Sequence, residues 1–164
     1  MDSSTLILPK SEDSPILFDE RRFEVVDGVL RERKMGAETS YVAAILLGRI
    51  LDFVLERRLG WCFTTDGGYQ CFPDRPKLVR FPDVSFVRHG RLPEERPPKG
   101  HMRLAPDLAV EVVSPNDLYY EIEQKIEDYL SVGVPLVWVV NPEVRTVHVY
   151  RPDGSVTRLR RDQR

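Results

Sequence analysis

The chain has 164 residues, 41% hydrophobic and 30% charged, with 24 Lys and Arg against 26 Asp and Glu and a formal net charge of -2. That length fits one compact domain, the apolar share lies above the disordered range, and the charge balance excludes a uniformly basic nucleic-acid coat. No apolar run reaches the roughly 20 residues of a spanning helix, and Met1 to Ser14 lacks a basic-then-apolar leader pattern, so a cytoplasmic protein without membrane contact is expected.

Residues 1–17 read as a loose arm, with Pro9 and Pro15 among Ser, Asp and Glu, and residues 18–164 as a single domain. Arg22 to Lys34 predicts a hairpin around Asp27–Gly28. Ala37 to Leu59 predicts a long helix, because Val42, Ile45, Leu46, Ile50, Phe53 and Val54 recur at helical spacing and Gly60 supplies a stop. Trp61 to Phe72 looks extended, interrupted at Gly67–Gly68. Its two cysteines, Cys62 and Cys71, either face each other across a hairpin or stand as free thiols, and a single possible bridge is no disulfide framework. Strands are expected at Phe81 to Arg88 and Leu108 to Val113, joined by a charged, Pro-rich loop from Gly90 to Pro106. A second helix follows at Tyr119 to Val132, then strands at Leu136 to Val140, Thr146 to Arg151 and Val156 to Leu159. The order gives an α/β or α+β fold, a sheet with helices packed on it, in which strand 108–113, helix 119–132 and strand 136–140 form a crossover unit.

The segment Leu108-Ala109-Val110-Glu111-Val112-Val113 carries the most information. Apolar residues on both faces describe a strand buried on both sides. A glutamate in its middle needs a partner, a metal or a shifted pKa. It is either paired with a buried cation or backbone amides, or it is a metal ligand. Asp107 and Glu111, four residues apart on one strand, stand about 13 Å apart and cannot share a cation; Asp107 reads as a turn residue. Asp83 opens a different strand, and it approaches Glu111 if strands 82–88 and 108–113 are neighbours. Two hard oxygen donors suit Mg²⁺ or Mn²⁺, and the absence of clustered His or Cys argues against zinc. On the second helix the apolar stripe is Tyr119, Ile122, Ile126, Tyr129 and Leu130, while Glu121, Gln124 and Asp128 face outward. Lys125 projects beside the stripe, either as a lysine snorkelling at the edge of the buried face or as a cation aimed at the two acids.

Pro82-Asp83, Glu111-Val112-Val113 and Lys125 together resemble the PD-(D/E)xK nuclease superfamily. The closer resemblance is to the Uma-type putative restriction endonuclease family, through residues 81–87, residues 105–115, Lys125 with Tyr129, and residues 133–142. The superfamily pattern has a lysine two places after the glutamate, where this chain has Val113; Uma-type proteins similarly carry an apolar residue there and a lysine on the following helix. Ser40 and Tyr41 stand where many members have a histidine, and the chain stops before the family's usual C-terminal segment, as a truncation would leave it. The resemblance implies a restriction-endonuclease-like core, a central mixed sheet flanked by helices, and Mg²⁺-dependent hydrolysis of DNA phosphodiester bonds by a homodimer. It implies that Asp83, Glu111 and the carbonyl of Val112 bind the metal and that Lys125 orients the attacking water. Glu32 and Glu38 are either an additional acid or solvated surface charge.

Arg31, Arg33 and Lys34 on the hairpin, Arg88, Arg91, Arg96 and Lys99 on the long loop, and the basic tail of Arg158, Arg160, Arg161 and Arg164 either contact DNA phosphates or are ordinary solvated charge. Trp138 reads as core, and His148 as facing solvent or a partner. A catalytically silent nuclease-fold module that binds DNA or assembles with a partner stays open, as does a hydrolase of smaller phosphoesters.

Overall fold

The computed structural model describes residues 23–26, 29–32 and 36–163. The predicted arm of residues 1–17, the Asp27–Gly28 turn, Arg33–Lys34 and Arg164 lie outside the described residues. Strands β1 (Phe23–Val26) and β2 (Val29–Glu32) pair antiparallel as the expected hairpin. Helix α1 (Ala37–Arg57) follows, and then β3 (Gly60–Thr64), β4 (Val84–Arg88), β5 (Leu108–Val112), α2 (Tyr119–Ser131), β6 (Val137–Asn141), β7 (Thr146–Tyr150) and β8 (Val156–Arg160). Among the described residues the six later strands form one sheet in the order β3-β4-β5-β6-β7-β8. Only β5 and β6 run parallel, and α2 is their crossover.

Strand β5 is buried along its whole length because its side chains alternate between two cores. Val110 and Val112 join Val84 and Val140 beneath α1, which contributes Val42, Leu46 and Ile50. Ala109 faces the other way, with Val137 and Val139, beneath Ile126 and Tyr129 of α2. The resulting arrangement is a mixed sheet with one helix on each face, as the sequence predicts. Trp138 packs against the α1-side core, as expected.

Several local expectations are corrected. The stop at the end of α1 is Arg58, in the left-handed region at φ 52°, rather than Gly60. Gly60 opens β3 instead, where a Cβ would fall 2.2 Å from the Val87 carbonyl oxygen, so the close approach of the two strands requires glycine. Ile45 and Phe53 of the predicted α1 stripe lie half exposed. The extended stretch after Trp61 ends as a strand at Thr64, and Tyr69 then bridges both Arg80 and Met102.

On α2 two assignments reverse. Tyr119 is 77% exposed, so the buried stripe begins at Ile122. Asp128, expected to face outward, is only 5% exposed. Its Oδ1 accepts from Arg75 Nη1 at 2.5 Å and from Gln124 at 3.1 Å, and its Oδ2 accepts from Arg80 at 2.5 and 2.8 Å. Periodicity turns Asp128 outward and says nothing of arginines brought from far along the chain. The cluster clamps the segment that leads into β4 onto α2. Asp128→Ala leaves a buried guanidinium without its carboxylate, and we expect a loss of about 3 kcal/mol, read as a lower urea midpoint at unchanged slope.

Cys62 and Cys71 are free thiols. Burial pushes the Cys71 thiol up to about 11 and the Cys62 thiol upward as well. At pH 8 both therefore stand below their pKa as the unreactive protonated form. Iodoacetamide at that pH is expected to label Cys71 slowly in the native protein and rapidly in urea, as followed by intact mass.

Candidate active site

The sheet order sets β4 beside β5, in antiparallel register with Val84 opposite Val110. The neighbourhood required of Asp83 and Glu111 is therefore present. The Asp83 N–H, one residue before β4, donates to the Val110 carbonyl at 2.9 Å. The Asp83 carboxylate then accepts the Val112 N–H at 2.7 Å. Backbone and side chain of Asp83 thus bracket Glu111, one on each neighbouring peptide. Asp83 itself is partly exposed at the end of the sheet.

Glu111 is 2% exposed. It lies on the α2 side of β5, with Ala109 and Val113 as its neighbours on that face. Helix α2 brings Lys125 and Tyr129, one turn apart, over the carboxylate. Lys125 Nζ donates to Oε2 at 2.8 Å, and the wholly buried Tyr129 hydroxyl donates to Oε1 at 2.8 Å. The Lys125 side chain remains 22% exposed. Lys125 reaches one of the two acids, Glu111, from the edge of the buried face. A helix lysine thus stands over the face on which Val113 replaces a strand lysine.

The donor set around β5, carboxylates and backbone carbonyls without His or Cys, fits a hard ion such as Mg²⁺. Among the described residues no group of three or more His, Cys, Asp or Glu gathers to hold a metal. Glu38 is solvent-exposed in the first turn of α1, and Glu32 sits on β2.

The basic groups divide. Arg88 and Arg91 pair with Asp107 at the entrance to β5, at 3.3 and 2.7 Å, and Arg96 pairs with Glu94. These three are committed to acidic partners within or beside the loop. Lys99 lines a groove instead. Arg158 and Arg160 are exposed on β8. His148 is half-buried on β7, opposite Val139 and Arg158.

Tyr129 was within reach of the sequence, since a residue four past Lys125 shares its helix face. The hydrogen bonds by which Asp83 holds the Val110 and Val112 peptides and the arginine clamp on Asp128 were not, because both depend on segments distant along the chain.

A mixed α+β sheet whose crossover strand presents a buried acid to the following helix defines a restriction-endonuclease-like fold. The chain belongs to the Uma2 family, described as putative restriction endonucleases, whose model matches residues 9–163. In structure it is similar to a putative nuclease of the DUF820 family from Anabaena variabilis, with a TM-score of 0.70 and 23% identity over 84% of this chain and 75% of that chain. At that identity the likeness establishes the fold. No curated protein matches the chain.

Proposed function

We propose that the protein is a Mg²⁺- or Mn²⁺-dependent endonuclease that hydrolyses DNA phosphodiester bonds, with Asp83, Glu111, the carbonyl of Val112 and Lys125 as its site. The observation that carries this reading is the buried Glu111 carboxylate held between Lys125 and Tyr129 and bracketed by Asp83, in a chain of the restriction endonuclease family.

Asp83, Glu111 and the Val112 carbonyl would hold the ion. A bound divalent ion supplies Lewis-acid polarisation of the phosphate and acidifies a water. The chain's own residues do the rest. Tyr129 and Lys125 fix the orientation of Glu111, so the carboxylate needs no reorganisation when substrate arrives. The Lys125 ammonium, partly open to solvent, orients the attacking water and offsets the negative charge that grows on the phosphoryl oxygens. DNA is the substrate, and a homodimer in the cytoplasm matches the two-fold symmetry of duplex DNA. Among the described residues no helix is long and apolar enough to cross a membrane.

A second reading is favoured by one observation. Both Glu111 oxygens already accept internal hydrogen bonds and no third acidic group joins them among the described residues, as a silent DNA-binding or assembly module would have it. Calorimetric titration with Mn²⁺, alongside plasmid nicking in Mg²⁺, Mn²⁺ and EDTA, separates the two. The enzyme binds the ion and nicks only in its presence; a protein that does neither is the module.

A further inference from the structure

A groove of about 380 Å³ opens at the end of β3. Its floor is Phe63 and the turn Asp66–Gly68, and the loop segment that carries Pro97, Lys99 and His101 closes the other side. Thr64 pairs with Val84, which pairs with Val110. The groove therefore lies at the same end of the sheet as Asp83 and Glu111, about 10 Å from β5 at the usual strand spacing. A strand of DNA positioned at those acids reaches it within the next few nucleotides.

Its chemistry is mixed in a particular way. The exposed His101 imidazole is braced edge-on by Phe81, with ring centroids 5.6 Å apart and planes at 83°. Phe81 stands two residues before Asp83. A Cβ on Gly68 would fall 2.5 Å from His101 Nδ1 and 2.6 Å from the Phe81 ring, so only glycine lets the turn pack under this pair. The groove thus has an aromatic surface fixed in position and tied through the chain to the acid site. Lys99 supplies a cation on the loop side. Asp66 supplies a carboxylate on the turn side, which repels phosphate and accepts from base amino groups. A nucleotide lies across this polarity in one sense, phosphate on Lys99 and base edge toward Asp66. Access to the imidazole face requires a base that is out of the duplex stack.

We propose that this groove binds an unpaired nucleotide of the strand flanking the phosphate to be cut, with its base against His101 and its phosphate on Lys99. The placement relative to the cut rests on the nuclease reading; the binding itself does not. The test uses the full chain in EDTA, where no cleavage occurs, and the fluorescence anisotropy of a labelled single-stranded oligonucleotide and of its blunt duplex. Lys99 and His101 are both exposed, so Lys99→Ala and His101→Ala are expected to keep the native circular dichroism. His101→Ala weakens single-strand binding by at least about fivefold, the lower end of what one base–aromatic stack contributes, and leaves the duplex affinity unchanged. Lys99→Ala lowers the slope of log K against log salt by about 0.7 on the single strand. Failure of the wild type to bind the oligonucleotide overturns the proposal. Unchanged affinity in both variants overturns it too, as does an equal loss on single strand and duplex. Binding that depends on both residues in a protein that cuts nothing upholds the groove and removes the nuclease.

Discussion

Glu111→Gln is expected to lower metal-dependent plasmid nicking by about a thousandfold, with the fold intact. The substitution exchanges one carboxylate oxygen for an amide nitrogen at constant shape. The amide oxygen can accept from Lys125, whereas the Tyr129 contact reverses, with the amide nitrogen donating to the hydroxyl that donates to the carboxylate in the wild type. The formal charge that would hold a divalent ion does not persist. About 4 kcal/mol of transition-state stabilisation is lost when a metal ligand of this type is removed, which converts to about a thousandfold in rate. Mn²⁺ titration calorimetry on the same variant is expected to show little heat; its native circular dichroism persists, while its thermal midpoint falls because the Lys125 ammonium loses its counter-charge. Nicking that survives at the wild-type rate places the chemistry elsewhere on the molecule. The isosteric exchange is more informative than alanine, which would also leave the Lys125 ammonium facing a cavity and mix a folding defect into the readout.

The legible part of this molecule is the part governed by local rules. Strand β5 was readable because a short, unbroken apolar run can hold a single acid only as a doubly buried strand whose carboxylate is paired or put to use. Helix α2 was readable from its stripe, and the crossover from the order of elements. Lys125 could be placed beside the stripe by spacing, but spacing alone could not choose between the water and the carboxylate; that choice is made by how closely the helix lies on Ala109 and Val139. Asp128 shows the complementary failure. Its position on the helix gave an outward direction, and Arg75 and Arg80 turned that direction into a buried ion cluster. A period describes one element, whereas the partner that decides burial comes from elsewhere in the chain. The hold of Asp83 on the Val110 and Val112 peptides is set by the register between strands, which the sequence of neither strand records.

The clamp and the site share one helix, which gives the corrected burial of Asp128 a functional side. Asp128 and Tyr129 are adjacent, and Lys125 lies one turn before Tyr129. Arg80 precedes Asp83 by three residues and meets Asp128. The same ion pair thus joins the lead into β4, which carries Asp83, to the helix that carries Lys125 and Tyr129. Burying that pair costs desolvation, and what it fixes is the relative placement of two elements that a metal site would need within a fraction of an ångström.

Lys125→Met separates a catalytic cation from a structural brace. In the absence of metal the variant leaves the Glu111 carboxylate buried, with the Tyr129 hydroxyl still donating to it but the ammonium gone. We expect a loss of about 3 kcal/mol, the low end for breaking a buried pair, because the lysine is partly open to water and the tyrosine stays. A divalent ion bound at Glu111 replaces the missing positive charge. Saturating Mn²⁺ is therefore expected to raise the thermal midpoint of Lys125→Met by more than it raises that of the wild type, since ligand linkage adds to whichever native state it binds more tightly. Nicking in the same metal falls by about a hundredfold, because restoring the charge balance of Glu111 does not restore an ammonium beside the phosphate. Lys125→Arg keeps the charge but exchanges a compact ammonium for a planar fork; it is expected to recover most of the stability and little of the rate. A metal-independent stability loss, identical in Mn²⁺ and EDTA, would identify Lys125 as a brace for a buried acid and remove it from the chemistry.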